Sequence, residues 1–250
     1  MIDFNEKAQQ VHEQGFCVLE SLLGPDECRT IKGLLDSYWE RRGRPSLQNF
    51  GLGIHPALEQ IPELASFYAN RGVIETIAHI LDDEVRLTHT GSRLSEESSP
   101  GEGPSLSIDW HNHYAWDRSG VPGRKRVERG LGGVYLDGSN EDVGPLIVLP
   151  RKYNNPLDGG EGLTTADWPG QVPVEVPPGS VVIFDTALWH TARRGNRPGI
   201  RHLLGAHYQG WSNPRPHPED NVTGSPAVEA AMEEYPALRG LLAPPAGMSG

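Results

Sequence analysis

The side chains with the greatest chemical potential fall in three short segments. Asp109-Trp110-His111-Asn112-His113-Tyr114 sets two histidines two residues apart. On a strand, successive side chains alternate faces, so His111 and His113 point the same way and their imidazoles converge. Convergent imidazoles are what a divalent transition metal requires. The run 179–190 (GSVVIFDTALWH) reads as a buried apolar strand with a third histidine, His190, at its end. Arg201 opens the next strand, and a guanidinium is the group best suited to grip a carboxylate through two parallel hydrogen bonds. An isolated H-x-H pair is weak evidence for metal. The pair, a strand-end histidine about 80 residues on and an arginine eleven residues beyond that form a far more specific set.

The remaining histidines carry less. His12, His55, His79, His202, His207 and His217 read as ordinary surface or core residues. His89 lies on a strand that could line the same cavity, which makes it a substrate-side candidate. Tyr114 and Trp116 are the others: with Trp110, Trp189 and Trp211 they could offer flat apolar faces to a substrate, or simply fill a small barrel.

The elements that must position these groups are legible from periodicity and turn chemistry. Helices are expected over 4–13, stopped by Gly15, from Gly24-Pro25-Asp26-Glu27 onward with Ile31, Leu34, Leu35 and Trp39 at helical spacing, and over 73–81. Short strand-like runs follow at 85–94, 105–113, 132–136, 146–149, 172–176, 180–185 and 201–210, after an early one at 16–20. Ser225-Pro226 opens a closing helix towards residue 242 that Pro236 breaks. Many short strands parted by turn residues read as a barrel or double-sheet jelly roll with helices packed outside. The chain is therefore expected to be one mostly β (α+β) domain over 1–250: a helical part at 1–82, a β core at 83–212 and a C-terminal tail and helix at 213–250.

Composition excludes several classes. Thirty glycines and 22 prolines make the chain turn-rich, yet 36% hydrophobic residues and six tryptophans demand a core. A net charge of −11 argues against nucleic acid, and Arg124-Lys125-Arg126 is too short a basic run to reverse that. No apolar run approaches the ~20 residues of a membrane span. Two cysteines, Cys17 and Cys28, fit a reducing cytosol, and the polar N-terminus is unlike a signal peptide, so a cytoplasmic location is expected.

Longer motifs carry a family resemblance. The segments 16–23 (FCVLESLL), 110–113 (WHNH), 134–150 (VYLDGSNEDVGPLIVLP) and 180–201 resemble the phytanoyl-CoA dioxygenase-like family of Fe(II)/2-oxoglutarate-dependent oxygenases. The resemblance spans most of the chain. It implies a double-stranded β-helix, a cupin-like jelly roll with flanking N-terminal helices and metal at its mouth. It implies Fe(II), 2-oxoglutarate and molecular oxygen as cofactor and co-substrates, and a small-molecule metabolite as the substrate to be oxidised, by hydroxylation in the first instance. His111 and His190 match the family's histidine ligands, and Arg201 matches the arginine that holds the distal carboxylate of 2-oxoglutarate.

One departure matters. The family's acidic ligand is replaced by His113. A histidine is too large to leave the vacancy that a small residue leaves for halide in halogenating relatives. His113 could bind metal in a three-imidazole site, with one negative charge fewer. It could swing away and leave water, Asp109 or Asp117 in the third position. The site could also be silent. The family's turn Pro-Gly-Ser-His reads Pro150-Arg151-Lys152-Tyr153, whose two cations hint at an anionic substrate. The polar stretch 117–130 is a candidate lid. The alternatives to the main reading are a three-His dioxygenase that does not use 2-oxoglutarate, and a catalytically silent binding protein on the same fold.

Overall fold

The computed structural model describes residues 2–47, 51–97, 108–113, 127–151, 166–213 and 215–243. Helix α1 (Phe4–Gln14) starts on Asp3, whose carboxylate accepts from the Glu6 amide, and stops at Gly15 with φ 97°. Strand β1 (Phe16–Leu19) leads to α2 (Pro25–Arg41), with Pro25 in its first turn and the Glu27 carboxylate accepting from the Gly24 amide. A short β2 (Leu52–Ile54), two single-turn helices, α3 (Ala57–Gln60) and α4 (Ala65–Tyr68), and α5 (Arg71–Leu81) complete the first third.

Seven strands follow: β3 (Val85–Glu97), β4 (Arg129–Tyr135), β5 (Leu146–Val148), β6 (Val172–Val174), β7 (Ser180–Asp185), β8 (His190–Ala192) and β9 (Gly199–Gly210). The chain closes with α6 (Pro226–Glu234) and α7 (Arg239–Leu242), parted at Pro236 as expected. All strand pairs are antiparallel. The major sheet runs β1-β7-β4-β9-β3-β2 and the minor sheet β6-β5-β8.

Strand β7 shows how the layers stack. It is buried along its whole length, so its apolar residues run without interruption. Val181 and Ile183 pack towards the helices with Val11, Leu35, Val73 and Ile77. Val182 and Phe184 pack the other way, with Leu146, Val148 and Val174 of the minor sheet. The two sheets thus meet face to face in the jelly-roll arrangement, and the helices cover the outer face of the major sheet. Each such side chain contributes roughly 1.5–3 kcal/mol on burial. No helix among the described residues is long and apolar enough to cross a membrane.

Two expectations are corrected. His190 does not end the strand of 180–185: β7 stops at Asp185, the chain turns, and His190 begins β8 in the other sheet. The expected strand at 105–113 appears, over 108–113, only as a single bridge between His111 and His190, with 105–107 outside the described residues. Strands β2 and β8 and helices α3 and α4 were not expected, since three- or four-residue elements leave no period to read.

One buried polar network ties the helices to the sheet. His202, on the helix-facing side of β9, meets Asp137 through Nδ1 and Asp36 of α2 through Nε2, each at 2.9 Å, and Lys32 reaches Asp137 at 2.9 Å. Burial alone would lower the His202 pKa, but the two carboxylates outweigh it and the net shift is upward from 6.5. Asp137 shifts net downward from 3.8: burial opposes, and hydrogen bonds from His202 and Lys32 prevail. A raised histidine stabilises the fold below about pH 6.5 and loses that effect as pH rises through its folded value. A depressed aspartate stabilises above about pH 3.8 and loses that effect as pH falls through its folded value. The cluster therefore stabilises most between those limits. Urea unfolding of native protein and His202→Gln is expected to show a larger difference at pH 5.5 than at pH 8.5; equal differences would contradict this account.

Candidate metal centre

The H-x-H segment is fixed by backbone. His111 and His190 exchange two amide-to-carbonyl hydrogen bonds, each 3.0 Å, and the His113 amide donates to the Thr186 carbonyl at 2.8 Å. The alternation expected from sequence then holds. Trp110 is fully buried, stacked on Trp168 at 4.8 Å beside Ile147 and Leu149, while His111 and His113 turn the opposite way. Their rings lie 5.2 Å apart, and both approach the His190 ring, at 4.2 and 5.1 Å. One ring nitrogen from each of the three falls within 4.8 Å of the others.

The tautomers are set locally. His111 Nδ1 lies 2.8 Å from the Asp109 carbonyl, and His190 Nδ1 lies 3.0 Å from the Leu188 carbonyl. A carbonyl only accepts, so each Nδ1 carries the proton and each Nε2 keeps its lone pair. His113 Nδ1 lies 3.1 Å from Glu219 Oε1 and is committed the same way. Burial, then the charge of His113, lowers the His111 pKa to about 4. Burial, then His111 and His113, drives His190 well below 6.5. These rings are neutral at neutral pH, as ligands must be. Three imidazoles whose Nε2 atoms face one point fit a facially held divalent metal with open positions.

Parity along β9 and β3 builds the cavity behind them. Residues 202, 204, 206 and 208 of β9 face the helices, so Arg201, Leu203, Gly205 and His207 face inward. Across the ladder, Ser95 pairs with Arg201, Arg93 with Leu203, Gly91 with Gly205 and His89 with His207. On the other side, Gly133 pairs with Gly205 and Leu131 with His207. One register row on three adjacent strands is therefore all glycine: Gly133, Gly205 and Gly91. Glycine inside a strand costs ~0.5–1 kcal/mol relative to alanine. Three in register make a poor choice for packing: the His55 ring covers Gly91, while the row stays open over Gly205. A Cβ at Gly205 would meet nothing closer than 3.9 Å.

At one end of this row stand Arg201 and its diagonal neighbour Arg93. Arg201 stacks over Tyr135, 5.8 Å from the ring centre. Neither arginine forms an ion pair with a carboxylate among the described residues. Burial, then the Arg201 charge, lowers the Arg93 pKa, which marks the proximity of the two guanidinium groups. At the other end lie His207, His89 and the three-histidine cluster.

Several candidates are placed elsewhere. Arg151 is not a rim cation, because it pairs with the buried Asp185; Lys152 lies outside the described residues. Asp109 brings its carbonyl and not its carboxylate to the site. Trp110 belongs to the core, and Trp211 lies near Arg86 with its indole N–H donating to the Gly240 carbonyl. Tyr114, Trp116, Asp117 and the lid candidate up to residue 126 fall outside the described residues, while Arg129 and Gly130 of that stretch belong to β4. His89 does reach the site: its ring stacks 4.6 Å from that of His207.

Sequence reasoning missed five contributors. His207, 5.0 Å from the His113 ring, His217 and His55 were set aside as ordinary. His55 is carried over Gly91 by the short β2. Arg93 shares the parity of His89, a signal that was present. Glu219 sits in the C-terminal tail, where no periodicity pointed to it. The group His113, His207 and Glu219 also has metal-ligand spacing. However, Arg129 donates to His207 Nδ1 at 3.1 Å and pairs with Asp220 at 2.7 Å, so a guanidinium already occupies that corner.

Comparison with known proteins agrees with this geometry. Residues 11–203 match the family model of phytanoyl-CoA dioxygenase (PhyH), and the chain belongs to that family. It is a dioxygenase-type enzyme of the Fe(II)/2-oxoglutarate class. Among solved structures, the 2-oxoglutarate-dependent carbocyclase SnoK from nogalamycin biosynthesis is similar at 17% identity and TM-score 0.63, covering 88% of this chain and 93% of that one. EctD from S. alaskensis, solved with 2-oxoglutarate and 5-hydroxyectoine, is 20% identical with TM-score 0.63, covering 89% and 85%. HygX from Streptomyces hygroscopicus, solved with nickel and 2-oxoglutarate, is 19% identical with TM-score 0.63, covering 82% and 86%. These likenesses establish the fold. No individually curated protein matches significantly.

If the three imidazoles hold one metal, His111→Ala and His190→Ala each weaken anaerobic Co(II) binding by more than ~100-fold, since one of only three ligands is lost. Retention of native affinity in either variant would place the metal elsewhere.

Proposed function

We propose that the protein is a non-haem oxygenase that uses Fe(II), 2-oxoglutarate and molecular oxygen to hydroxylate a small-molecule metabolite. His111, His113 and His190 are the metal ligands and Arg201 is the clamp for the distal carboxylate of 2-oxoglutarate. The observation that carries this reading is the glycine row, open at Gly205, with three convergent imidazoles at one end and, at the other, an arginine that has no carboxylate partner among the described residues. A metal bound there with 2-oxoglutarate supplies oxygen activation coupled to decarboxylation of the co-substrate to succinate.

The chain's residues do the rest. Carbonyls of Asp109 and Leu188 hold His111 and His190 in the tautomer that coordinates. Arg201 fixes the co-substrate's far end, while Gly133 and Gly205 leave its path clear. Gly144, at φ 88°, allows Arg201 to lie close, since a Cβ there would come 3.1 Å from Nη1 and 2.5 Å from the Arg193 carbonyl. Phe184, 4.8 Å from the His190 ring, contributes an apolar, water-excluding wall. His89 and His55 stand on the side open to substrate. Buried free cysteines fit a reducing cytoplasm.

The H-x-H motif favours a second reading, a three-His dioxygenase independent of 2-oxoglutarate. Arg201 has no carboxylate partner among the described residues, which argues for the first, because a buried guanidinium left unmatched is costly unless a ligand supplies the anion.

Anaerobic Fe(II) plus 2-oxoglutarate is expected to give a weak visible charge-transfer band, and oxygen to yield succinate. No band and no succinate would refute the reading. Arg201→Ala removes a charge-assisted contact of ~1.5–3 kcal/mol, so the band should need ~10–100-fold more 2-oxoglutarate. Gly205→Val is expected to fold, to bind metal as the native protein does, and to lose 2-oxoglutarate affinity; unchanged affinity would show that the glycine row is not the co-substrate's bed.

A further inference from the structure

The missing acidic ligand has a counterpart one hydrogen bond away. Glu219 lies 106 residues beyond His113, in a tail segment that crosses the inner edge of β3. Its placement is firmly determined. The ladder between β3 and β9 slips between Leu87 and His89, which frees the Thr88 carbonyl to accept from the Asn221 amide at 3.0 Å. The Asn221 side chain then pairs with Thr90 as a strand would, accepting from its amide at 2.9 Å and donating to its carbonyl at 3.1 Å. The Glu219 amide donates to His217 Nδ1 at 3.1 Å, and its carbonyl accepts from His89 Nδ1 at 2.5 Å. With its main chain held at both ends, the carboxylate turns to the histidines. Oε1 accepts from His113 Nδ1 at 3.1 Å, and Oε2 lies 3.5 Å from His207 Nδ1.

We infer that Glu219 is the positioning residue that restores, through His113, the negative charge and the ligand geometry that an aspartate or glutamate at position 113 would have given directly. This inference rests on the proposed metal site. A divalent metal with three neutral imidazoles carries two positive charges, where two imidazoles and one carboxylate would leave one. A carboxylate hydrogen-bonded to a ligand imidazole polarises the ring, makes its Nε2 more basic and places the counter-charge just outside the coordination sphere. It also fixes the ring's tautomer and orientation, as the carbonyls do for His111 and His190. Only His113 receives a charged partner, and it is the ligand that stands where the family keeps its acid. The neighbouring Arg129 is matched by Asp220 at 2.7 Å, which leaves Glu219 available to His113.

The test uses the full chain and metal alone. Glu219→Gln keeps an oxygen that can accept from Nδ1 but removes the charge; Glu219→Ala removes both. Anaerobic Co(II) titration of the native protein is expected to reach one equivalent. Glu219→Ala should weaken binding ~10–100-fold. Glu219→Gln should weaken it less, yet raise the Fe(III)/Fe(II) potential and tighten azide binding to the ferric site, since the site has become more positive. A residue with only a structural role would not move potential or anion affinity in the glutamine variant. In a His113→Asp background the charge is supplied directly, so Glu219→Gln should change the potential far less. Native affinity and native potential in both Glu219 variants would overturn the inference and leave the three-histidine site standing. Two equivalents in the native protein that fall to one in Glu219→Ala would overturn it in favour of a second metal at His113, His207 and Glu219. A native protein that binds no metal would overturn the underlying reading together with the inference.

Discussion

The register between β3 and β9 is the constraint on which the rest depends. One residue of slip by β9 would exchange its two faces. Leu204, Ala206 and Tyr208, now buried against the helices, would enter the cavity, and Arg201 and His207 would be driven into an apolar layer. The cost of burying the Arg201 charge and exposing that core is far greater than any gain, so the site's chemistry is locked by hydrophobic patterning on its reverse side. His202 reinforces the lock. It stands next to Arg201 in sequence, faces the opposite way and is held by two carboxylates. The proposed clamp and the anchor are adjacent residues on opposite faces of one strand.

The second constraint is the exchange of backbone hydrogen bonds between His111 and His190. It joins a segment that is scarcely a strand to the edge of the minor sheet, and it does so at two of the proposed ligands. Metal geometry here depends on main-chain pairing as much as on side-chain choice. The turn between β7 and β8 is set by Asp185, which is buried, paired with Arg151 and accepts from the Ala187 amide at 3.1 Å. Arg151, which looked like a substrate contact from its neighbourhood in sequence, serves to aim His190.

Much of the fold was legible because long elements leave a period. Helices α1, α2 and α5 and strands β3, β4, β7 and β9 follow from spacing, with Gly15 and Pro236 as stops. Elements of three or four residues left none, so β2 and β8 appear only in three dimensions. His111, His113, His190 and Arg201 were legible from motif and parity. Arg93 and the glycine row carried the same parity signal but needed the register across three strands to acquire meaning. His207 and Glu219 were not legible: a histidine in an apolar strand and an acid in a proline-rich tail are ordinary until a ladder and a docking loop bring them to one point.

The two ends of the cavity differ in how charge is balanced, and that difference constrains what can bind. At the Arg201 end, two guanidinium groups, one of them over the Tyr135 ring, meet no carboxylate from the described residues, so a ligand must bring the negative charge. At the histidine end, Glu219 and Asp220 are already present, one facing His113 and the other matched to Arg129. An anion is therefore drawn to the arginine end by long-range attraction, while a metal cation is drawn to the histidine end by the carboxylate behind it. A chain of net charge −11 has not spread its acids evenly. Among the described residues it withholds them from one end of the cavity and sets one of them behind a proposed ligand at the other, a polarity that favours one orientation of an elongated dianion along the glycine row.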